Sequence, residues 1–597
     1  MVRNMKRWAL ILAVLALMAL AVPALAEVDA DGFDLISGGT ELVGYYGYGG
    51  DIEVPEDVMI IDANVFAGKT GITSVILPDN LESIGASAFS GCSNLTDINL
   101  PDGLTYIGVG AFSGCGRLTR VDLPDTLETL ESGAFSGCSS VERFEIPDGI
   151  DIISDNLFSG CSAMSEVVLP QTCTAIGNNV FSSCTNLNAI DIPDSVTVIG
   201  EGAFQGSGLT GMVLPPELKT VSRGLFSGCN SLIEVKLPNG LQVIDESAFS
   251  GCGKLKNIDI PESVRAINRG AFSGCVILER FTIPEGVVAV YDSVFSGCTA
   301  LHEVSIPSTC TSVGSGAFSG CGKLTEIALP ESVVSIGNNA FQGTGITTMD
   351  LPKHIGTIGS GTFSGCTALK QIAIPETVVS IEQGAFSNCS SLETLDLPDS
   401  VSNLASSALS GCSRLTEVKL PAGITEIQDS LLSGCSALTK VTLPEGIEAI
   451  GNGAFSGCRS LLEMTLPDGV RTIGDNAFSS CDAMKRIRIP DSVNTILDNA
   501  FSSCNAELYA TCNSYAHQWI RLHDMHGTIT GHTLDETRET KVSKKGKIIG
   551  YCAVCGEKFK SDPPETAPEA AATEEPAGEA GEVAETTEAT ETEAKGD

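Results

Sequence analysis

Leu95-Thr96-Asp97-Ile98-Asn99-Leu100-Pro101 is followed by Leu104, Ile107, Ala111-Phe112 and Cys115. Twenty-three residues further on the phrase returns as Leu118, Val121, Leu123-Pro124, Leu127, Leu130, Ala134-Phe135 and Cys138. A phenylalanine keeps the register from Phe66 to Phe386 and again at Phe455, Phe478 and Phe501, and Leu409 and Leu432 fill the slot between. Twenty copies result, two of them 22 residues long, after Phe204 and Phe341. Repetition at this period points to a solenoid. One copy cannot bury its apolar side alone, and stacking closes a continuous core.

The spacing says how each copy folds. Ile98 and Leu100 alternate with polar Asp97 and Asn99, which is strand periodicity. Pro101 ends the strand because it cannot donate to a ladder. Asp102-Gly103 supplies a turn, and Leu104 to Ile107 brings the chain back with a second short strand. Gly110-Ala111-Phe112-Ser113-Gly114-Cys115 is too short for a full helix and suits a helical turn whose ring plugs the interior. The expected fold is an α/β, β-rich repeat solenoid: a curved leucine-rich repeat stack of about 20 copies of a 23-residue repeat, with terminal caps. Parallel strands about 4.8 Å apart would give its inner arc a length of roughly 95 Å.

Composition narrows the function classes. Acids outnumber bases 74 to 35 in 597 residues, for a net charge of −39. Phosphate binding needs a basic face, so nucleic acid is not an expected partner. With 43% hydrophobic residues the chain is not mostly disordered. Residues 1–26 read as a signal peptide. Arg3, Lys6 and Arg7 precede an apolar run from Trp8 to Val22, and Ala24-Leu25-Ala26 is a small-residue cleavage site. The mature chain then carries no membrane span. Residues 27–55 form an N-terminal cap with Tyr45, Tyr46 and Tyr48 among glycines, and 56–510 are the solenoid. Residues 511–530 hold a capping helix around Tyr515, Trp519, Ile520 and Leu522; 531–562 are a small module; 563–597 are a disordered acidic tail.

Seventeen of the 22 cysteines share one repeat position, from Cys92 to Cys504. Ser207 and Thr344 break this column into runs of five, five and seven. Every run is odd, so full pairing would strand a thiol in each. The column therefore reads as buried small apolar residues with a weak hydrogen-bonding handle, with several disulfides as the alternative. Cys552-Ala553-Val554-Cys555-Gly556 lies outside the repeats, behind His523, His526 and His532. It suits half of a zinc knuckle. Cys552, Cys555, His526 and His532 are the candidate zinc ligands, and Cys512 is a further donor. A structural disulfide, inert thiols and a redox pair are the other readings.

The phrase Ala-Phe-x-x-Cys followed by Leu-x-x-Ile-x-Leu-Pro, from about Asp51 to Cys504, resembles the BspA-like class of bacterial leucine-rich repeats. The resemblance implies a secreted or cell-surface protein that binds other proteins, often host or matrix components, without catalysis. The region behind the repeats is similar to the small His…Cys-x-x-Cys-Gly appendages that follow such repeats.

A hydrolase would need a nucleophile beside a base. The solenoid offers only His302 and His354, in different copies and without a partner motif. Recognition would fall to the strand positions that point away from the core and should line the inner, concave face. These rows mix charges and lack aromatic anchors. Hot spots favour arginine as well as aromatics, which singles out Arg120 and Arg143 in adjacent copies. Glu166, Glu303 and Glu326 lie on the same row. The last two could meet a basic partner or hold calcium weakly. The expected function is adhesion or protein binding to extracellular proteins of a host, a matrix or other cell surfaces. A structural cell-envelope rod is the alternative, and a secreted hydrolase the remote one.

Overall fold

The computed structural model describes residues 27–561, apart from 535 and 546. The expected signal peptide over 1–26 and acidic tail over 563–597 lie outside the described residues. The chain divides into two compact units, Met1–Ile529 and Thr530–Asp597.

In the first unit the repeats form a β-solenoid of about 21 turns. Each turn has three sides. The first is the strand of the Leu-x-x-Ile-x-Leu phrase, paired in parallel and in register with the next turn, as Arg143, Phe144 and Glu145 are with Glu166, Val167 and Val168. Proline then closes a tight turn through its carbonyl: Leu104 N donates to Pro101 O at 3.0 Å. The second side is a two-residue strand. Tyr106–Ile107 pairs in parallel with Thr129–Leu130.

The third side corrects one expectation. The Ala-Phe-Ser-Gly-Cys corner is not a helical turn that satisfies its own backbone. Phe89 N and Gly91 N donate to Ala111 O and Ser113 O of the next turn, both at 2.7 Å. Ser90 N and Cys92 N bond back three residues, to Ser87 O and Phe89 O. The alternation requires left-handed backbone at Ser87 (φ 55°) and Gly91 (φ 73°), which a helix cannot contain. Glycine supplies that second position most often, and Ser183, Asn388, Ser480 and Ser503 replace it, also left-handed, at φ of 55–61°. Among the described residues helix is confined to Tyr515–Leu522 and one 3-10 turn at Ser37–Gly39.

The core is a column of rings. Phe249 and Phe272 stack with centroids 5.2 Å apart and planes 5° from parallel, and the same contact runs turn after turn. Beside it runs the thiol column. From Cys92 to Cys481 each Sγ donates to the carbonyl at the ring position of the preceding turn, as Cys275 does to Phe249 O at 3.2 Å; for Cys435 and Cys458 that residue is Leu409 or Leu432. Where Ser207 stands in the slot, its hydroxyl meets Cys229 Sγ at 3.4 Å, and Thr344 donates to Phe341 O at 2.9 Å.

Both ends of the column are closed by aromatics. Phe33 and Tyr45, on the strands Phe33–Ile36 and Glu41–Tyr45, pack on Phe66 with centroids 6.5 and 5.2 Å away. At the other end Ser514 caps the helix Tyr515–Leu522 by accepting from His517 N, and Trp519 meets Phe501 edge to face at 5.8 Å. The second unit carries a three-stranded antiparallel sheet, Lys541–Val542, Ile548–Tyr551 and Lys558–Ser561.

Candidate binding groove and metal-ligand cluster

The first strand row is not continuous. Among the described residues no strand forms at 120–122, 189–191, 257–259, 326–328 or 394–396, where Thr394 keeps only a single bridge, so between Arg143 and Thr442 the strands stand in pairs. At the first of these breaks a second effect adds to it. Phe144 occupies a strand position where most turns carry Ile, Val, Leu or Met and only Phe281 repeats the ring, and it lies 5.1 Å from Phe135 and 4.4 Å from Phe158. Phe135 and Phe158 consequently stand 6.4 Å apart, against 5.2 Å for Phe112 and Phe135. An extra ring in a close-packed interior has to spread its neighbours.

An open groove of about 820 Å³ lies on the surface there, lined by Arg120, Val121 and Asp122 of one turn and by Arg143, Glu145 and Ile146 of the next. Asp125, Glu142 and Asp148 complete a lining of five acids and two arginines. Both arginines already hold carboxylates. Arg120 Nε lies 2.7 Å from Asp122 Oδ2. Arg143 reaches Glu145 at 3.1 Å and Glu166 at 3.6 Å. All five side chains are more than half exposed. Ion pairs this wet contribute little, so a partner can exchange them readily.

The remaining strand candidates are dispersed. Glu303 pairs with Arg280 at 3.3 Å. Glu326 is exposed on the unpaired turn at 326–328, and among the described residues the two glutamates join no cluster able to hold a cation. His302 and His354 are both exposed. The expected cap grouped Tyr45, Tyr46 and Tyr48 over the first copy, and the structure separates them. Tyr46 and Tyr48 stand in solvent, at 67% and 105% exposure, while Tyr45 beside them is buried. Strand alternation after Tyr45 was the available signal.

The thiol column is chemically quiet. Burial pushes Cys92 up to about 11, and Cys115, Cys161, Cys298, Cys435 and Cys481 up to about 12. Neutral thiols are poor nucleophiles.

The second unit differs. His532 Nδ1, Cys552 Sγ and Cys555 Sγ all lie within 4.8 Å of one another. Burial pushes the Cys552 thiol up. Donation from the Cys555 and Val554 backbone N–H groups and from the His532 ring outweighs it, and the pKa falls to about 5. His526 and Cys512 belong to the first unit, where the His526 carbonyl accepts from Leu508 N at 3.0 Å.

Stacked turns with two rows of short parallel strands, a phenylalanine column and a leucine at the head of the first row define a leucine-rich repeat solenoid. Six overlapping copies of the family model for the BspA type leucine rich repeat region match residues 59–188, 174–302, 222–346, 289–415, 334–458 and 380–507. The chain belongs to the BspA type leucine-rich repeat family. Among solved structures it is similar to a leucine-rich repeat protein from Bacteroides ovatus, at 20% identity and a TM-score of 0.31, over 86% of this chain and 99% of that one. It is also similar to a leucine rich cell surface protein from Faecalibacterium prausnitzii, at 21% identity and a TM-score of 0.32, over 80% and 97%. No curated protein matches the chain. No helix among the described residues is long and apolar enough to cross a membrane.

Proposed function

We propose that this is an exported protein that binds other extracellular proteins through the strand face of its solenoid, centred on the groove between Arg120 and Arg143, and that it performs adhesion without catalysis. The observation that carries this reading is the groove itself. Two arginines in adjacent turns stand in a recess ringed by acids, at a point where the ladder is interrupted and the core is spread. Arginine is favoured at interface anchors because its planar fork bonds in two directions at once. The surrounding acids favour a partner with a basic patch and one or two carboxylates within it. Host, matrix and other cell-surface proteins all offer such patches. Binding through side chains needs no cofactor, so a zinc ion on the second unit would serve that unit's fold and not recognition.

Export rests on the leader-like residues 1–26. Proximity labelling by the full chain on intact cells tests location and partner together. Enrichment of one or a few extracellular proteins, with saturable binding on reconstitution, supports adhesion. Tight association with cell-wall fractions and no saturable partner would leave a structural rod instead.

A further inference from the structure

The second unit has almost no interior. Among its described residues only Gly550 and Cys552 are buried, while Leu534, Ile548, Ile549, Tyr551 and Phe559 are half-buried. Folded pieces below about 40 residues usually depend on a disulfide, a metal or oligomerisation. The unit's one fully buried side chain is a sulfur.

Three ligand atoms meet at that sulfur. Cys555 Sγ is 3.5 Å from His532 Nδ1, and Cys552 Sγ lies within 4.8 Å of both. Zn–S bonds of about 2.3 Å and Zn–N bonds of about 2.0–2.1 Å at a tetrahedral angle give ligand-to-ligand edges of about 3.6–3.8 Å. The sulfur-to-nitrogen separation is already that of such an edge.

The backbone around Cys552 is arranged to receive a metal-bound sulfur. Val554 N donates to Cys552 Sγ at 3.4 Å. Gly556, at a φ of 75°, lets the chain double back so that its N–H reaches the Cys552 carbonyl at 2.9 Å. His532 is held on its own account. Leu534 bridges Cys552 in antiparallel fashion, Ala553 N donates to Thr533 O at 2.8 Å, and the imidazole stacks on Phe559 with centroids 4.8 Å apart. A ligand ring fixed by packing loses little freedom when an ion arrives.

We propose that the second unit binds one Zn²⁺ through His532 Nδ1 and the sulfurs of Cys552 and Cys555, with the fourth position filled by water or a donor outside this trio, and that the ion is the unit's structural staple. Two sulfurs and an imidazole form a donor set that suits zinc and not calcium or magnesium. Both sulfurs bind as thiolates, any proton either still carries passes to solvent, and no electron moves. The rival is a Cys552–Cys555 disulfide. It would close a turn with only two residues between its ends, restrain little of the unfolded chain, and give His532 no role. The site is independent of the adhesion reading.

The test uses the full chain. Metal content is measured after purification with added zinc chloride, and cobalt(II) is then exchanged into the protein. One zinc per chain is expected, with a tetrahedral cobalt spectrum and a sulfur-to-metal charge-transfer band. Cys552→Ser with Cys555→Ser should abolish both signals. Cys555→Ser alone should lower the charge-transfer band to roughly half, since one of two sulfurs remains. His532→Ala should weaken zinc binding at least about tenfold while keeping the band. Trp519 emission, which reports the first unit, is followed in every variant so that general misfolding is not read as metal loss. Zinc at background level with both thiols reduced, zinc content unchanged in the double serine variant, or a Cys552–Cys555 disulfide in the native chain by unreduced peptide mapping would each overturn the proposal.

Discussion

The rings of Phe249 and Phe272 lie 5.2 Å apart and within 5° of parallel. The backbone between the same two turns is locked as well, because Phe249 N donates to Ala271 O at 2.8 Å. The carbonyl of Phe249 accepts the thiol of Cys275. One repeat position thus joins the apolar core, the inter-turn ladder and the thiol column. Each turn is held mainly by its two neighbours, so stability accumulates along the stack.

Phe272→Ala should cost about 3–5 kcal/mol, the range for removing a buried phenylalanine. The ring touches Phe249 and Phe295, which cannot fill the space without leaving the stack, and meets Phe281 of the strand edge-on. In a one-dimensional assembly the damage stays local. Hydrogen exchange should quicken across the turns between Phe249 and Phe295 and stay unchanged beyond Phe386. Uniform quickening along the chain would show a single cooperative unit instead.

The thiol column should resist alkylation in the folded chain at pH 8 and react fully after denaturation. It also sets an alkaline limit. Burial holds Cys92 at about 11 and Cys115 at about 12, whereas an unfolded thiol ionises at about 8.5. Above that value the unfolded chain binds fewer protons than the folded one, so stability falls as pH rises toward the folded values. Only below about pH 7, well under the unfolded value, does this source give almost no pH dependence. Each fully shifted thiol adds a slope of up to about 1.4 kcal/mol per pH unit. The urea midpoint should therefore be nearly level from about pH 6 to 7, begin to fall by about pH 8 and drop steeply by about pH 10.5. A level midpoint throughout would contradict the burial of the column. Cys275→Ser should be mild, because a hydroxyl already serves at Ser207 and Thr344.

Trp519 closes the ring column against Phe501, yet its indole N–H is buried without an acceptor among the described residues. Trp519→Ala should fray the last turns at a cost of about 3–5 kcal/mol. Trp519→Phe should cost markedly less, because it keeps an apolar ring and removes an unpaired donor whose burial itself costs about 1–3 kcal/mol. Thermal unfolding of the two variants measures the difference. Equal losses would mean that the indole nitrogen has a partner in solution.

What the sequence revealed followed from repetition. Phe112, Cys115 and Pro101 recur so often that their roles as core, thiol column and strand end could be read from spacing alone. The corner was misjudged because Ala111-Phe112-Ser113-Gly114 is short enough to read as one turn, while half of its backbone donors are satisfied by the next turn. The interruption at Arg120–Asp122 was invisible. Val121 and Leu123 follow the same pattern as Ile98 and Leu100, and pairing depends on how the neighbouring turns align. Arg120 and Asp122 were legible as neighbours two apart on one strand, but their 2.7 Å contact depends on side-chain rotamers. At Cys552 the spacing left His526 and His532 as equal candidates. The bridge between Leu534 and Cys552 brings His532 to the sulfurs, and such long-range register is not written in a short motif.

Salt is the simplest probe of the groove. Its lining is charged and exposed, so affinity for an extracellular partner should fall as ionic strength rises past the point where the screening length drops to about 8 Å. A partner held at undiminished affinity in high salt would be bound elsewhere, with the exposed pair Tyr46 and Tyr48 the next surface to examine.

The most direct measurement is the equilibrium affinity of the full chain for a partner captured on intact cells, compared with that of Arg120→Ala combined with Arg143→Ala. Truncation to alanine removes both forks without adding new charge. If these side chains anchor recognition, affinity falls by at least about tenfold, the loss expected of interface hot spots, while the thermal unfolding of the solenoid is unchanged. Equal or tighter binding by the double variant would contradict the account.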